Sequence, residues 1–582
     1  MSTVTLSLLL SLLFVGGEKA TKKKGEFQLQ LHQFSVQRLV TPFLNQIDPN
    51  APINEACFGL ADPNIPNGGS RFGLMEGRAV KPCGEIDSIL ELLRVALGKE
   101  AFQGRKARMW IQGGKLTFIG EPELAKKANS FLKRMKGIIA PRIRISCRLV
   151  SEGKGRSFGL IDDKEVSKLP LVLEWRERGR AGDRIFFGVL GEKRYQGKMD
   201  AEVANESTIL DPRIHPIAMG KTVSLMALPA KDGGFGVVGY FLDRGFSAEI
   251  SSKDLAGKEL GTIEFSKQDI LKRAFSCMVK PGSQVYVPLG GEKELALVLR
   301  VEMQDSLPKG QDTLLRSLSL YSIPFGAYTS SLFSPLFPSD LSEVSSENVG
   351  SDLPGWMNAY LDPDKLVDLL FSTLGREGLT INLFGGNESP SLFVSGANEA
   401  GKKAGQILDL LTKDLGRSFL VDVQMQVMPM GHSDTGWRDY RRVANLPCLS
   451  NRSILVEDVK ELGYLKDYDV EIAQKSSIGN PIPGKVAMGN RLRAYLAADG
   501  ERVHVFLSLG QQAFLGFRRI PPACDKLGPL MGPELRKVTF QRFFSMKVGE
   551  TVLLGEGLKT EVEGLGECRT RYAMTIRELR FE

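Results

Sequence analysis

Residues 120–133, GEPELAKKANSFLK, are echoed at 396–409 as GANEAGKKAGQILD. A chain that spells one segment twice is built on a repeated plan, so the repeat constrains its fold more than any composition does. In the first copy Leu124, Ala128, Phe131, Leu132 and Met135 fall on one helical stripe. The second copy keeps that stripe as Ala400, Ala404, Ile407, Leu408 and Leu411, while Gly120, Glu123, Lys126 and Lys127 recur as Gly396, Glu399, Lys402 and Lys403. Pro122 suits a first helical turn, where its missing N–H is not needed.

The likeness extends both ways. Upstream, ILELLRVALG (89–98) matches LVDLLFSTLG (366–375), each a helix ending on a glycine suited to cap it. Between the helices, RMWIQGGKLTFI (108–119) and INLFGGNESPSLFV (381–394) read as strand, Gly-Gly turn, strand. Downstream, RIRISCRLV (142–150) alternates, with Ile143, Ile145, Cys147 and Leu149 on one face and Arg142, Arg144 and Arg148 on the other. Phe419, Val421, Val423, Met425 and Val427 alternate likewise in the second half, opposite Asp422, Gln424 and Gln426. Each half is therefore expected to open with a small α-β-β-α-β module whose helices cover one side of a sheet.

A β-rich stretch follows each module. AMGKTVSLMALPAKDGG (218–234) and RAFSCMVKPGSQVYVPLGGEKELALVLRVE (273–302) answer to AMGNRLRAYLAADGERVHVFLSL (487–509), RFFSMKVGETVLLGEGL (542–558) and RYAMTIRELRF (571–581). The shared AMG, the Asp-Gly turn and the Gly-x-x-Val strand keep their order. The fold class is read as α+β, a tandem duplication in which each unit is a small α/β module followed by a β-rich domain.

A chain of 582 residues exceeds a single core. Its formal charge of +8 is mild for that length, and its Lys and Arg are spread through both halves instead of forming the basic stripe that nucleic acid requires. The opening MSTVTLSLLLSLLFVGGEKATKKK carries an apolar run from Leu6 to Gly17, too short to span a bilayer comfortably and suited to the core of a signal peptide, so export to the periplasm or outer membrane is expected. No Lys or Arg precedes that run, and cleavage is placed near Gly17 or Ala20. Seven cysteines are too sparse for a disulfide scaffold; Cys57 with Cys83, or Cys448 with Cys524, are the candidate pairs, whereas Cys147 and Cys277 fall in strands as buried thiols. Four histidines, His32, His215, His432 and His504, show no metal-ligand spacing.

Catalytic motifs fail on context. The GKT at Gly220–Thr222 has His215 where a phosphate-binding loop needs glycine, and an alternating strand follows where a helix N-terminus is required. The acidic pairs in IDDKE (161–165) and LDPDK (361–365) are the nearest to acid/base groups, and Asp362 before Pro363 reads better as a helix N-cap. There is no GxSxG. Hence no enzyme activity, catalytic residue, cofactor, metal or small-molecule substrate is expected. GREG (375–378) invites comparison with the GxxG loop of KH domains, which must join two helices; here a strand follows, and the first copy reads GKEA, so no nucleic-acid partner is expected.

Laid out in order, the second half resembles the secretins, the outer-membrane ring channels of type II and type III secretion and type IV pilus systems. SLFVSGANEAGKKAGQILDLLTKDLGRSFLVDVQMQVMP (391–429) is similar to that family's junction between ring-building module and β-domain. MGNRLRAYLAADGERVHVFLSL, followed by LRKVTFQRFFSMKVGETVLLGEGL, is similar in its sequence of strands and turns, with Gly489, Asp499, Gly500, Gly549, Thr551, Val552, Gly555 and Gly557 on the motif positions. The likeness covers most of 360–582 and, more faintly, 85–304. Glu556 interrupts the family's paired glycines, and only KTEVEGLGECRT separates Leu558 from the last strand, where secretins carry a gate and lip.

The resulting division is a signal peptide (1–20), an N-terminal segment (25–84), a first α/β module (85–150) and β-rich domain (151–304), a Ser/Pro-rich linker (305–355), and a second module (356–428) and β-rich domain (429–582). Phe325, Leu332, Phe333, Leu336 and Phe337 in the linker suit a stretch packed in the groove between units. The resemblance implies an exported, non-enzymatic component of a secretion or pilus-type outer-membrane complex, partnered by itself or by other secretion-system subunits. A periplasmic scaffold or binding module that has lost the pore is the alternative, and a KH-like nucleic-acid binder a third reading.

Overall fold

The computed structural model describes residues 30–35, most of 86–304, 318–322, 363–374, 380–384, 391–395, four positions between 403 and 407, and most of 417–579. Among these residues β-strand dominates and helices are few.

The first module contains α1 (Ile86–Leu97), β2 (Arg108–Gln112), β3 (Lys115–Gly120) and α2 (Pro122–Ile139), joined by β1 (Gln30–Ser35) from far upstream. The sheet order is β1-β3-β2. The helical stripe predicted from spacing is the one buried: Ala128, Phe131, Leu132 and Met135 of α2 close with Ile89, Leu92 and Leu93 of α1 over Leu116. Each of the larger of these side chains contributes about 1.5–3 kcal/mol by leaving water, which fixes the helices on the sheet.

After the module come β4 (Arg142–Ser151), β5 (Gly159–Leu160), the short α3 (Asp163–Val166), β6 (Leu171–Arg180), β7 (Arg184–Ala204), β8 (Ser207–Pro229), β9 (Phe235–Arg244), β10 (Glu249–Asp254), β11 (Thr262–Val279), β12 (Gln284–Gly290) and β13 (Leu295–Met303). In the IDDKE stretch Asp162 serves as the N-cap of α3, accepting the Glu165 N–H at 2.7 Å. The second half supplies β14 (Leu318–Ser322), α4 (Pro363–Leu374), β15 (Thr380–Phe384), β16 (Ser391–Ser395), β17 (Ser418–Pro429), β18 (Arg438–Leu449), β19 (Arg452–Ala473), β20 (Ser476–Asp499), β21 (Arg502–Ile520), β22 (Leu530–Lys547), β23 (Thr551–Glu556), β24 (Thr560–Val562) and β25 (Gly566–Leu579).

Two expectations about the modules change. The strand at 142–150 does not end the module's own sheet: β4 lies between β13 and β6, and β17 likewise between β25 and β18. The reason is its buried face. Ile143, Ile145, Cys147 and Leu149 pack into the large β core instead of under the helices. The third strand of each module comes from upstream instead, β1 beside β3 and, within the Ser/Pro-rich stretch, β14 beside β16. Most of the second copy of the echoed helix, the GREG loop, residues 1–20 and the remainder of 305–355 lie outside the described residues.

Three sheets build the β-rich body. Two small ones run in the same order, β12-β13-β4-β6 (with β5 beside β12) and β23-β25-β17-β18 (with β24 beside β25). The large sheet runs β7-β8-β9-β11-β19-β20-β21-β22, with β10 beside β11, so strands from both halves belong to one sheet. Both small sheets lay their apolar faces on it: Val285 and Leu297 from one and Val421 and Ile576 from the other share a core with Val223, Phe275, Leu492 and Val505 of the large sheet. One row of directly opposed residues crosses all eight strands of that path: Leu190, Gly220, Arg244, Ile270, Val459, Gly489, Gln512 and Lys537.

Cys147, Cys277, Cys448 and Cys568 are buried free thiols. Cys448 is thus not paired with Cys524: it sits within the core on β18, donating weakly to the carbonyls of Leu449 and Arg452 at 3.4 and 3.3 Å. Among the described residues no helix is long and apolar enough to cross a membrane.

Candidate assembly interface

The place where the two halves meet is a strand seam. β11 and β19 pair antiparallel from Lys267 opposite Leu462 to Ala274 opposite Leu455. One face of this seam is apolar, with Ile270 and Ala274 against Val459 and Leu455. The other face carries Arg273, which interrupts the run Leu271, Phe275, Cys277, Val279 and is almost fully buried.

A buried guanidinium is costly unless its donors are satisfied. Arg273 donates to three backbone carbonyls, those of Leu289 at 2.6 Å, Lys272 at 2.9 Å and Glu457 at 3.0 Å. It thereby ties β11, β12 and β19 together, although burial presses its pKa down to about 10. Beside it the Glu457 carboxylate takes ion pairs from Arg491 at 3.0 Å and Lys272 at 3.1 Å. Asp269 and Lys460 close the outer end of the seam at 3.4 Å. The small sheets are stitched across the same line: the Phe158 N–H reaches Asn445 Oδ1 at 3.4 Å, and the Leu449 N–H reaches Ser276 Oγ at 2.9 Å.

The eight motif positions fall in two neighbouring places. At one end, Asp499 and Gly500 form the β20–β21 turn and Gly549 the β22–β23 turn, joined through the Val548 N–H on the Glu501 carbonyl at 3.2 Å. Arg417 clamps this end, bonding the Gly500 carbonyl and Glu578. Thr551 and Val552 lead away along β23, with the Thr551 and Thr575 hydroxyls 2.8 Å apart. At the other end Gly555 and Gly557 lie where a Cβ would come within 2.4 Å of the Phe540 ring and of Thr570 Oγ1, so glycine lets the small sheet close onto β22 and β25. Gln511 links that end to Gly489's row, accepting the Leu558 N–H at 2.9 Å one step from Gln512, the partner of Gly489. Gly489 itself has φ +131, and a Cβ there would stand 2.1 Å from the Asp458 carbonyl oxygen. These positions hold layers together; they do not converge on a reacting centre.

The solvent face of the first small sheet carries a charged ladder. Glu174 bridges Arg148 at 2.9 Å and Arg176 at 2.8 Å, while Glu302 meets Arg300 at 3.0 Å and Arg144 at 3.6 Å. Bonds from Arg176 and then Arg148 hold the Glu174 carboxyl below its ordinary value.

The outer edges of the large sheet are chemically unlike the seam. The sheet ends at β7 on one side and β22 on the other. Large apolar side chains lie exposed on both flanks, Leu171, Val172 and Val189 on β6 and β7, and Leu535, Phe543 and Leu553 on β22 and β23. Edge strands with apolar neighbours accept a further strand where their N–H and C=O groups are open; on β7 part of the edge is taken within the chain, the Gln196 N–H donating to Glu264 Oε2 at 2.7 Å. Sequence reasoning did not single out Arg273, Glu457 or these edges. The arginine that interrupts the apolar face Leu271, Phe275, Cys277, Val279 in ILKRAFSCMV (270–279) was the one visible signal.

No protein-family model matches the chain, and no curated protein matches it. Among solved structures it is similar to the InvG secretin domain β-barrel of the Salmonella SPI-1 injectisome, with 9% identity over 37% of this chain and 80% of that one and a TM-score of 0.19. It is also similar to the type II secretion system secretin GspD of E. coli K12, with 10% identity over 51% of this chain and 84% of that one and a TM-score of 0.20. Aeromonas hydrophila ExeD matches with 9% identity over 86% and 89% of the two chains and a TM-score of 0.19. At such scores the likeness decides neither overall arrangement nor role.

Proposed function

We propose that the chain is a tandem pair of secretin-like units that works by protein–protein assembly, as an exported, non-enzymatic component of a secretion or pilus-type outer-membrane complex. The observation that carries this reading is the β11–β19 seam: side-by-side strand pairing between one set of four strands and the next is already present within the chain. The matched strand orders support the duplication. So do a bulge between Gln196 and Lys198 and another between Leu465 and Asp467, and the turns in which the Gly282 and Gly549 N–H groups each donate at 2.7 Å, to Val301 and Ile576. The apolar leader and the motif positions from Gly489 to Gly557 support export and the secretin resemblance.

Fractionation followed by extraction in mild detergent tests the reading. A large membrane-extracted particle, sized by light scattering and imaged by electron microscopy, is the expected result. A monomer released without detergent overturns it in favour of a periplasmic scaffold that kept the fold and lost the pore.

A further inference from the structure

The ends of β11, β19, β21 and β22, with the short β10, enclose a cavity that plays no part in the seam or the motif turns. Its volume is about 580 Å³, within the range of about 300–1,000 Å³ usual for small-molecule pockets. The floor is the Lys267 end of the seam: Phe265 and Lys267 of β11, with Leu462 of β19 directly opposite Lys267. The roof is the far end of the β21–β22 hairpin. There Phe517 and Arg519 share one face of β21, and Met531 lies opposite Arg519 on β22.

Roof and floor are fastened to each other beside the cavity. The Tyr464 and Phe517 rings stand 5.5 Å apart, and Leu530 packs on the cluster of Ile263, Phe265, Leu465 and Tyr468. The space is therefore built into the fold. Phe265, Leu462, Phe517 and Met531 give it apolar walls, while Lys267 and Arg519 bring positive charge to its lining from opposite layers. Among the described residues that line it there is no carboxylate. Like charges facing a common space of low dielectric repel, and an anion between them removes that cost. Lys267 lies opposite Glu249 in the β10–β11 register and has a contact of its own. Arg519, exposed at the rim and without a partner among the described residues, is the cation left for a ligand.

We propose that this cavity binds a single-chain amphiphile with an anionic head, a long-chain fatty acid, its carboxylate on Arg519 beside Lys267 and its alkyl chain along Phe265, Leu462, Phe517 and Met531. A guanidinium offers a carboxylate two parallel N–H donors, an interaction that a neutral alcohol does not reproduce. The volume suits one alkyl chain and is too small for a two-chain phospholipid, so a free fatty acid is the occupant. Each methylene that enters should tighten binding about fourfold until the apolar wall is covered. Neither the cavity nor its ligand requires copies of the chain to associate.

The test uses the full chain, purified without ionic detergent, and a dodecanoate carrying a diazirine at its terminal carbon. On irradiation the label is expected in peptides covering residues 251–267 or 517–531, competed by unlabelled dodecanoate and at least tenfold less well by dodecanol. Arg519→Gln should reduce labelling at least fivefold, and Met531→Trp, which fills the cavity and keeps both cations, should abolish it. Arg518→Gln, at an exposed neighbour on the opposite face of β21, is the control and should label as wild type. The site is overturned if dodecanol competes as well as dodecanoate, if the Arg519→Gln and Arg518→Gln variants label equally, if Met531→Trp labels as wild type, or if the label lies only in other peptides. Each outcome reads the same on a monomer and on a large particle, so loss of the fatty-acid site leaves the assembly reading standing.

Discussion

The guanidinium of Arg273 bonds the backbone carbonyl of Glu457 at 3.0 Å, across 184 positions of sequence, while the side chain of that glutamate is held by Arg491 and Lys272. A hydrogen-bonded charge therefore lies where the two halves join. Replacing Arg273 with methionine keeps the bulk but leaves three buried carbonyls without their donor, and the expected loss is about 3 kcal/mol. The urea midpoint of tryptophan fluorescence reads it, and Arg273→Lys, which cannot reach all three carbonyls, should fall between wild type and Arg273→Met.

Gly489 tolerates no side chain. Its φ of +131 disfavours L residues, and a Cβ would overlap the Asp458 carbonyl. Gly489→Ala should cost about 3 kcal/mol or more. Gly500→Ala, at φ +55 with open space around it, should cost only about 1 kcal/mol. Equal midpoints for the two variants in urea would contradict the close approach of β20 to β19 at Asp458.

The distinction between those two glycines shows what sequence makes visible. Asp499-Gly500 is a turn signal confined to neighbouring residues, and the alternation through Ile143, Ile145, Cys147 and Leu149 announces its own buried face, so both were legible. The helical stripe on Ala128, Phe131 and Leu132 was legible for the same reason. That β4 leaves the module, and that β1 and β14 enter it, depends on pairings between residues far apart, such as Gln30 with Gly120, for which no local periodicity exists. The seam is the extreme case. Its pairing of Lys267 with Leu462 has no trace in spacing, and only an arginine standing in an apolar strand face hinted that a distant carbonyl set waits for it.

Thiol chemistry reports the core directly. Burial pushes the pKa values of Cys277 and Cys448 up to about 12, so at pH 8 only about one thiol in ten thousand is ionised. In the folded protein neither should react with iodoacetamide over hours, and both should react promptly in urea. Mass spectrometry of the alkylated peptides checks this, and labelling of Cys448 before unfolding would place it outside the core.

Glu174 sets a small pH dependence. Its carboxyl is held below the ordinary value of 4.5 by Arg176 and Arg148, so its contribution is fully present above that value and is lost as pH falls through the lowered one. Because the pair stands largely in solvent, Glu174→Gln should reduce stability at pH 7 by at most about 1 kcal/mol and flatten the acid limb of the midpoint-versus-pH curve below pH 4.5. An unchanged acid limb would show that the ladder's charges are screened out.

The serial order β7-β8-β9-β11-β19-β20-β21-β22 has an arithmetical consequence. Since every polypeptide brings two quartets of strands covalently bound, any closed circle of these molecules contains an even number of quartets. A circle with an odd number of quartets is forbidden by connectivity alone, and the rotational symmetry order is half the number of quartets.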